Sequence, residues 1–96
     1  MMVVVGYDVA LSENDGARRL RRVAKVCTEY GQRVQFSLFE CVVDQLQYLE
    51  LKERLESIID EEHDSLRFYR LGKNYHTKIE HIGAKSVRNM DETLIM

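Results

Sequence analysis

The sequence predicts an α/β (α+β) chain folded as a ferredoxin-like two-layer plait, one antiparallel sheet with two helices on one of its faces. Three observations predict it. Apolar residues run or alternate at strand spacing in several separated stretches, and two amphipathic helical patterns of similar length lie between them. The order reads strand, helix, bent strand or strand pair, helix, strand, strand, tail strand. Both helices fall on one face of the sheet, so the second face has nothing in this chain to cover it. A chain of 96 residues with 45% hydrophobic residues is one small domain with apolar surface left over. The sequence therefore predicts a homodimer closed through that second face.

Residues 2–9 are the stretch around which the chain is organised. Val3, Val4 and Val5 are β-branched and stiff, apolar on both faces, and suited to the middle of a sheet. Alternation places Val3, Val5, Tyr7 and Val9 on one face and Val4, Gly6 and Asp8 on the other. Asp8 is the anomaly, because a carboxylate on a buried strand must be paired, metal-bound or at a rim. It either ends the strand or serves a site.

A polar loop over 10–14 leads to a helix whose start matches a capping box, Ser12 with Asp15, with Asn14 an equal candidate cap. Ala17, Leu20, Val23, Ala24, Cys27 and Tyr30 form its apolar stripe, and Gly31 is expected to close it in the left-handed conformation. The opposite face carries Arg18, Arg19, Arg21, Arg22 and Lys25 against Asp15 and Glu29. Arginines near a helix N-terminus sit at the unfavourable pole of the macrodipole, so either the face is merely solvated or it meets an anion. Residues 33–43 read as strand with a phase change near Ser37 and Leu38, predicting one bent strand or two short ones. Asp44 and Gln47 form a second capping box, opening a helix expected to reach about His63 with Tyr48, Leu51, Leu55, Ile58 and Ile59 buried. Its acidic outer face repels nucleic acid. Strands follow at 65–71 and 78–82, ended by Gly83. Residues 1–83 thus form the domain, and 84–96 a tail with an edge strand at 92–96.

The net charge of −2 conceals the contrast between the basic first helix and the acidic second. Cys27 and Cys41 fit no disulfide framework and no metal-ligand spacing, which predicts buried reduced thiols and a cytoplasmic protein. The apolar start is too short for a membrane span or a signal peptide, so no membrane association is expected. His63, His76 and His81 show no metal-pair spacing, and no general base is evident.

Four segments carry a resemblance: Val5-Gly6-Tyr7-Asp8-Val9; Arg18 through Val26; Tyr30-Gly31-Gln32-Arg33-Val34-Gln35-Phe36-Ser37-Leu38-Phe39-Glu40-Cys41; and Asp64 through Leu71. In this order and spacing the chain, from about residue 2 to residue 83, resembles the small CRISPR-associated endonuclease and endoribonuclease family of spacer acquisition. The resemblance implies a ferredoxin-like homodimer in which each protomer brings Asp8 to a cleft on the two-fold axis. Asp8 is then the catalytic residue and the ligand of a divalent metal, usually Mg²⁺. It further implies metal-dependent cleavage of single-stranded RNA or double-stranded DNA. The implied partners are the CRISPR integrase and nucleic acid. Tyr7, Arg33, Ser37 and Phe39 match family positions as possible support, and Arg18, Arg19 and Arg22 align loosely with its basic residues. Arg70-Leu71-Gly72 stands where members commonly carry Pro-Cys, and the tail lacks the usual proline.

The chemistry is consistent with so sparse a site. Magnesium keeps several waters and takes one or two carboxylates plus substrate oxygens. Arg33 is shaped to clamp a phosphate. Phe39 either stacks a base or fills core, Ser37 reads as a turn residue, and Tyr7 reads as packing. A non-catalytic scaffold bridging the integrase and holding incoming DNA is the alternative.

Overall fold

A computed structural model describes residues 1–83, so the expected tail strand at 92–96 lies outside the described residues. The strands are β1 (Met2–Asp8), β2 (Gly31–Gln35), β3 (Leu38–Val42) and β4 (Ser65–Gly72), with helices α1 (Gly16–Tyr30) and α2 (Gln45–Glu56). The sheet order is β2-β3-β1-β4 and every pairing is antiparallel. This is the predicted ferredoxin-like arrangement, with the valine strand β1 in the interior between β3 and β4.

The two faces of β1 separate as alternation requires. Val3, Val5 and Tyr7 point toward the helices and are buried with Phe39 and Cys41 of β3. From α1 come Leu20, Val23, Ala24, Val26 and Cys27; from α2 come Tyr48, Leu51 and Leu55. Both cysteines are free and buried, and the hydrogen bond with Cys41, followed by burial, pushes the Cys27 thiol far up. The phase change at Ser37 is a two-residue turn, Phe36 and Ser37, that splits the stretch into β2 and β3. The capping box on α2 forms as read, Asp44 accepting from the Gln47 amide at 2.8 Å and Gln47 answering at 2.9 Å.

Several local expectations are corrected. The start of α1 has no capping box. Asn14 and Asp15 both take positive φ, 43° and 62°, and the Asp15 side chain makes no cap bond. Gly31 is not a left-handed cap but the extended first residue of β2. Glycine is required there by proximity, since a Cβ would lie 1.8 Å from the Glu40 carbonyl oxygen. Helix α2 stops at Glu56, and turns carry the chain to β4. Ala17 is exposed, while Val26 takes its place in the core.

The strand expected at 78–82 does not form. After Gly72, at φ 80°, the chain makes a short 3-10 turn (Tyr75–Thr77) and continues irregularly. Residues 75–83 run along the second face of the sheet, forming with Val4, Gln32, Val34, Leu38, Glu40, Tyr69 and Leu71 the walls of a groove of about 790 Å³. That face is therefore partly covered by its own chain, and Tyr75 and Val34 are buried there.

Candidate nucleic-acid and metal site

The site is assembled at the C-terminal end of β1. Asp8 is the last residue of the strand, exposed, on the second face, and paired in register with Ser65 of β4. Its neighbour Gly6 pairs with Arg67 on one side and Leu38 on the other. The Tyr7 amide donates to the Ser37 carbonyl at 3.0 Å, so the Phe36–Ser37 turn is tied to the same end of the sheet. Ser37 acts here through its backbone, as a turn residue.

The loops beside Asp8 are held by a carboxylate the sequence reading did not select. Asp64 accepts from the Tyr7 hydroxyl, from the Ala10 amide at 3.0 Å, and from the Asp60 amide at 3.0 Å. Arg19 adds Nε at 2.7 Å and Nη2 at 3.0 Å, and also donates to the Asn14 and Ala10 carbonyls. Burial opposes charge on Asp64, but the bonds from Arg19, Tyr7 and the two amides prevail and hold it well below the usual carboxylate range. Burial and the Asp64 carboxylate push the Tyr7 phenol up to about 12. The hydrogen bond to Asp64 raises the Arg19 guanidinium further.

Arg19 is consequently not part of a nucleic-acid face. It is buried, with its side chain 8% exposed against 0% for Asp64, and its charge is spent inside. A signal was available: Arg19 lies four and seven residues before Val23 and Val26, in phase with the buried side of α1. Arg18, Arg21, Arg22 and Lys25 are exposed as expected and leave a basic outer face on that helix.

Arg33 lies on β2 at the hairpin end. Its Nε donates to the Phe36 carbonyl at 2.7 Å, and its guanidinium carbon sits 5.2 Å from the Phe36 ring centre and 5.5 Å from that of Phe39. Phe39 is fully buried, which settles its open alternative as core. Tyr7 is likewise core through its ring, with its hydroxyl anchored on Asp64.

Among the described residues no three His, Cys, Asp or Glu side chains converge on a potential metal position. Asp8 is thus a single carboxylate per chain, compatible with a largely hydrated magnesium ion and not with a complete protein cage. On the second face, burial raises Glu40, with His81 pulling in the opposite direction. No helix among the described residues is long and apolar enough to cross a membrane.

Comparison with known proteins agrees with this architecture. The CRISPR-associated endonuclease Cas2 of Halalkalibacterium halodurans is 58% identical over 95 residues, 99% of each chain. The CRISPR-associated endoribonuclease Cas2 of Nitratidesulfovibrio vulgaris is 53% identical over 96 residues, all of this chain and 94% of its own. The crystal structure of Streptococcus pyogenes Cas2 at pH 6.5 superposes with a TM-score of 0.79 at 53% identity, covering 86% of this chain and 100% of that one. The family model described as CRISPR associated protein Cas2 matches residues 1–79, and the chain belongs to that family.

Proposed function

We propose that this chain acts in CRISPR adaptation as a nucleic-acid-binding homodimer with metal-dependent endonuclease activity centred on Asp8. The observation that carries the reading is an exposed carboxylate at the end of a central strand whose other residues are buried or half-buried. It lies on the sheet face left open by the helices. The names of the relatives, endonuclease and endoribonuclease, support internal cleavage of a nucleic-acid chain, and the proposed substrate is single-stranded RNA or double-stranded DNA. Two copies of Asp8, one from each protomer, would hold a divalent cation, with Mg²⁺ the natural fit for so few protein ligands. When bound, the cation supplies charge relief on the phosphate and acidifies an attacking water. Arg33, at the same end of the sheet, and the exposed Arg18 and Arg22 hold the phosphate backbone. The Asp64 network fixes both chain segments that flank Asp8, so the carboxylate is presented without reorganising.

One observation favours a second reading. Among the described residues no cluster of three or more His, Cys, Asp or Glu side chains forms a metal cage, which also suits a non-catalytic scaffold that holds DNA and docks the CRISPR integrase. Asp8→Asn separates the two, because the exposed site tolerates an isostere without loss of fold. Under the catalytic reading, cleavage with magnesium present falls at least roughly a hundredfold, the scale for losing one group that stabilises developing charge. Cleavage at the parental rate removes Asp8 from the chemistry. Lost cleavage with intact spacer integration assigns the biological role to scaffolding.

A further inference from the structure

The geometry points to Phe36 as a stacking platform for an unpaired nucleobase, so that nucleic acid enters the Asp8 end of the sheet single-stranded. This deepens the nucleic-acid reading above and rests on its binding part alone. The aromatic side chain is in an unusual place. Two-residue hairpin loops favour Asn and Gly, yet this one is Phe36–Ser37, and the Phe36 residue is 66% exposed. It is not a loose side chain left in water. Arg33 grips the turn by donating to the Phe36 carbonyl and lies against the Phe36 ring, while the buried Phe39 ring supports the same guanidinium. Arg33 is thereby riveted between an immobile core aromatic and an exposed one. The Phe36 ring is held in place and still presents most of its surface outward.

The position matters as much as the exposure. The β1–β3 register pairs Gly6 with Leu38, and the Tyr7 amide bonds to the Ser37 carbonyl, so the turn and Asp8 share one end of the sheet. A fixed aromatic beside a guanidinium is the combination that holds single strands, the ring stacking a base and the cation meeting its phosphate. A duplex offers no free base face except at its ends, so the platform discriminates between the two forms. Phe39 cannot do this, because it is sealed in the core.

The test uses the whole chain, which contains no tryptophan. Phe36→Trp therefore introduces a sole indole reporter, made in an Asp8→Asn background so that binding is read apart from cleavage. Saturating oligouridylate or oligothymidylate is expected to quench the indole, and a blunt, base-paired duplex is expected not to. Phe36→Ala should weaken single-strand binding by about five- to a hundredfold, the range for losing one stacked base. It should leave duplex affinity within about twofold and the urea midpoint unchanged. Three results overturn the proposal: no quenching by single strands; equal weakening of single-strand and duplex binding; or an emission shift produced by protein concentration alone, which gives Phe36 to a second copy of the chain. Quenching in a protein whose Asp8-intact form never cleaves would overturn the nuclease reading and leave this one standing.

Discussion

Replacing Asp64 by Asn tests whether one buried carboxylate secures the whole Asp8 end of the sheet. The side chain is 0% exposed, and it accepts from Tyr7, Ala10, Asp60 and twice from Arg19. Asn keeps the shape, but its amide group turns two donors toward a cluster of donors and removes the counter-charge of Arg19. Removing one member of a buried ion pair costs about 3–5 kcal/mol. The lower end, about 3 kcal/mol, applies here because Arg19 retains the Asn14 and Ala10 carbonyls. For a domain of this size that lowers Tm by roughly 12–24 °C. The pH dependence has a definite sign. Asp64 is held below its unfolded value, so its contribution is complete above a pH of about 4 and is lost as pH falls toward the folded value. The gap between parent and variant must therefore narrow below pH 4. Asp60, held at about 2 first by Asn14 and then by His63, titrates in both proteins and cancels in the difference. Chemical denaturation of both proteins from pH 7 to pH 2 reads the effect. A loss under about 1 kcal/mol at pH 7, or a gap that stays constant with pH, refutes the reasoning.

The remaining predictions are shorter. Gly31→Ala drives a Cβ to within 1.8 Å of the Glu40 carbonyl oxygen and should cost about 3 kcal/mol or prevent accumulation of folded protein; a near-parental urea midpoint would disprove that close approach. Arg18→Ala and Arg22→Ala should each flatten the log–log salt dependence of nucleic-acid binding by about 1 with little change in Tm, whereas Arg19→Ala should act mainly on Tm. Leu51→Ala, in the sealed core, should lose about 2–5 kcal/mol, while Leu49→Ala, half exposed two residues earlier on α2, should change stability by less than about 0.5 kcal/mol in thermal melts.

What could be read in the sequence follows the range of the forces involved. The valine run of β1, the break at Ser37 and the Asp44–Gln47 cap depend on neighbours within a few residues, and each appears as read. The start of α1 departs from its local pattern because its loop is tied down by Asp64, some fifty residues later, and no local pattern announces that bond. Arg19 was hidden among its arginine neighbours; only its phase with Val23 and Val26 distinguishes it. Gly31 looked like a helix cap because composition cannot show that the helix passes directly into a strand pressed against Glu40. The missing strand at 78–82 has the same origin. Alternation showed which residues are apolar, but not that they face the underside of the sheet instead of an edge. As for the site, Asp8 ends β1, Arg33 lies on β2 at the hairpin end, and Arg18, Arg21, Arg22 and Lys25 are exposed while Arg19 is not; Asp64 and Phe36 emerge only once the chain is folded.

The central position of β1 carries a consequence for how the molecule is made. This strand leaves the ribosome before its partners β3 and β4, which begin at Leu38 and Ser65. At about 5–20 residues per second, one edge of the most hydrophobic segment in the chain waits roughly 3–12 seconds for β4 to be synthesised. During that interval Val3, Val4 and Val5 keep one edge unpaired and open to pairing with other nascent chains. Glu40 comes opposite Val4 with β3, and Arg67 and Arg70 arrive with β4, which closes the remaining edge. How quickly β4 follows β1 thus sets how long that edge stays open to misplaced pairing.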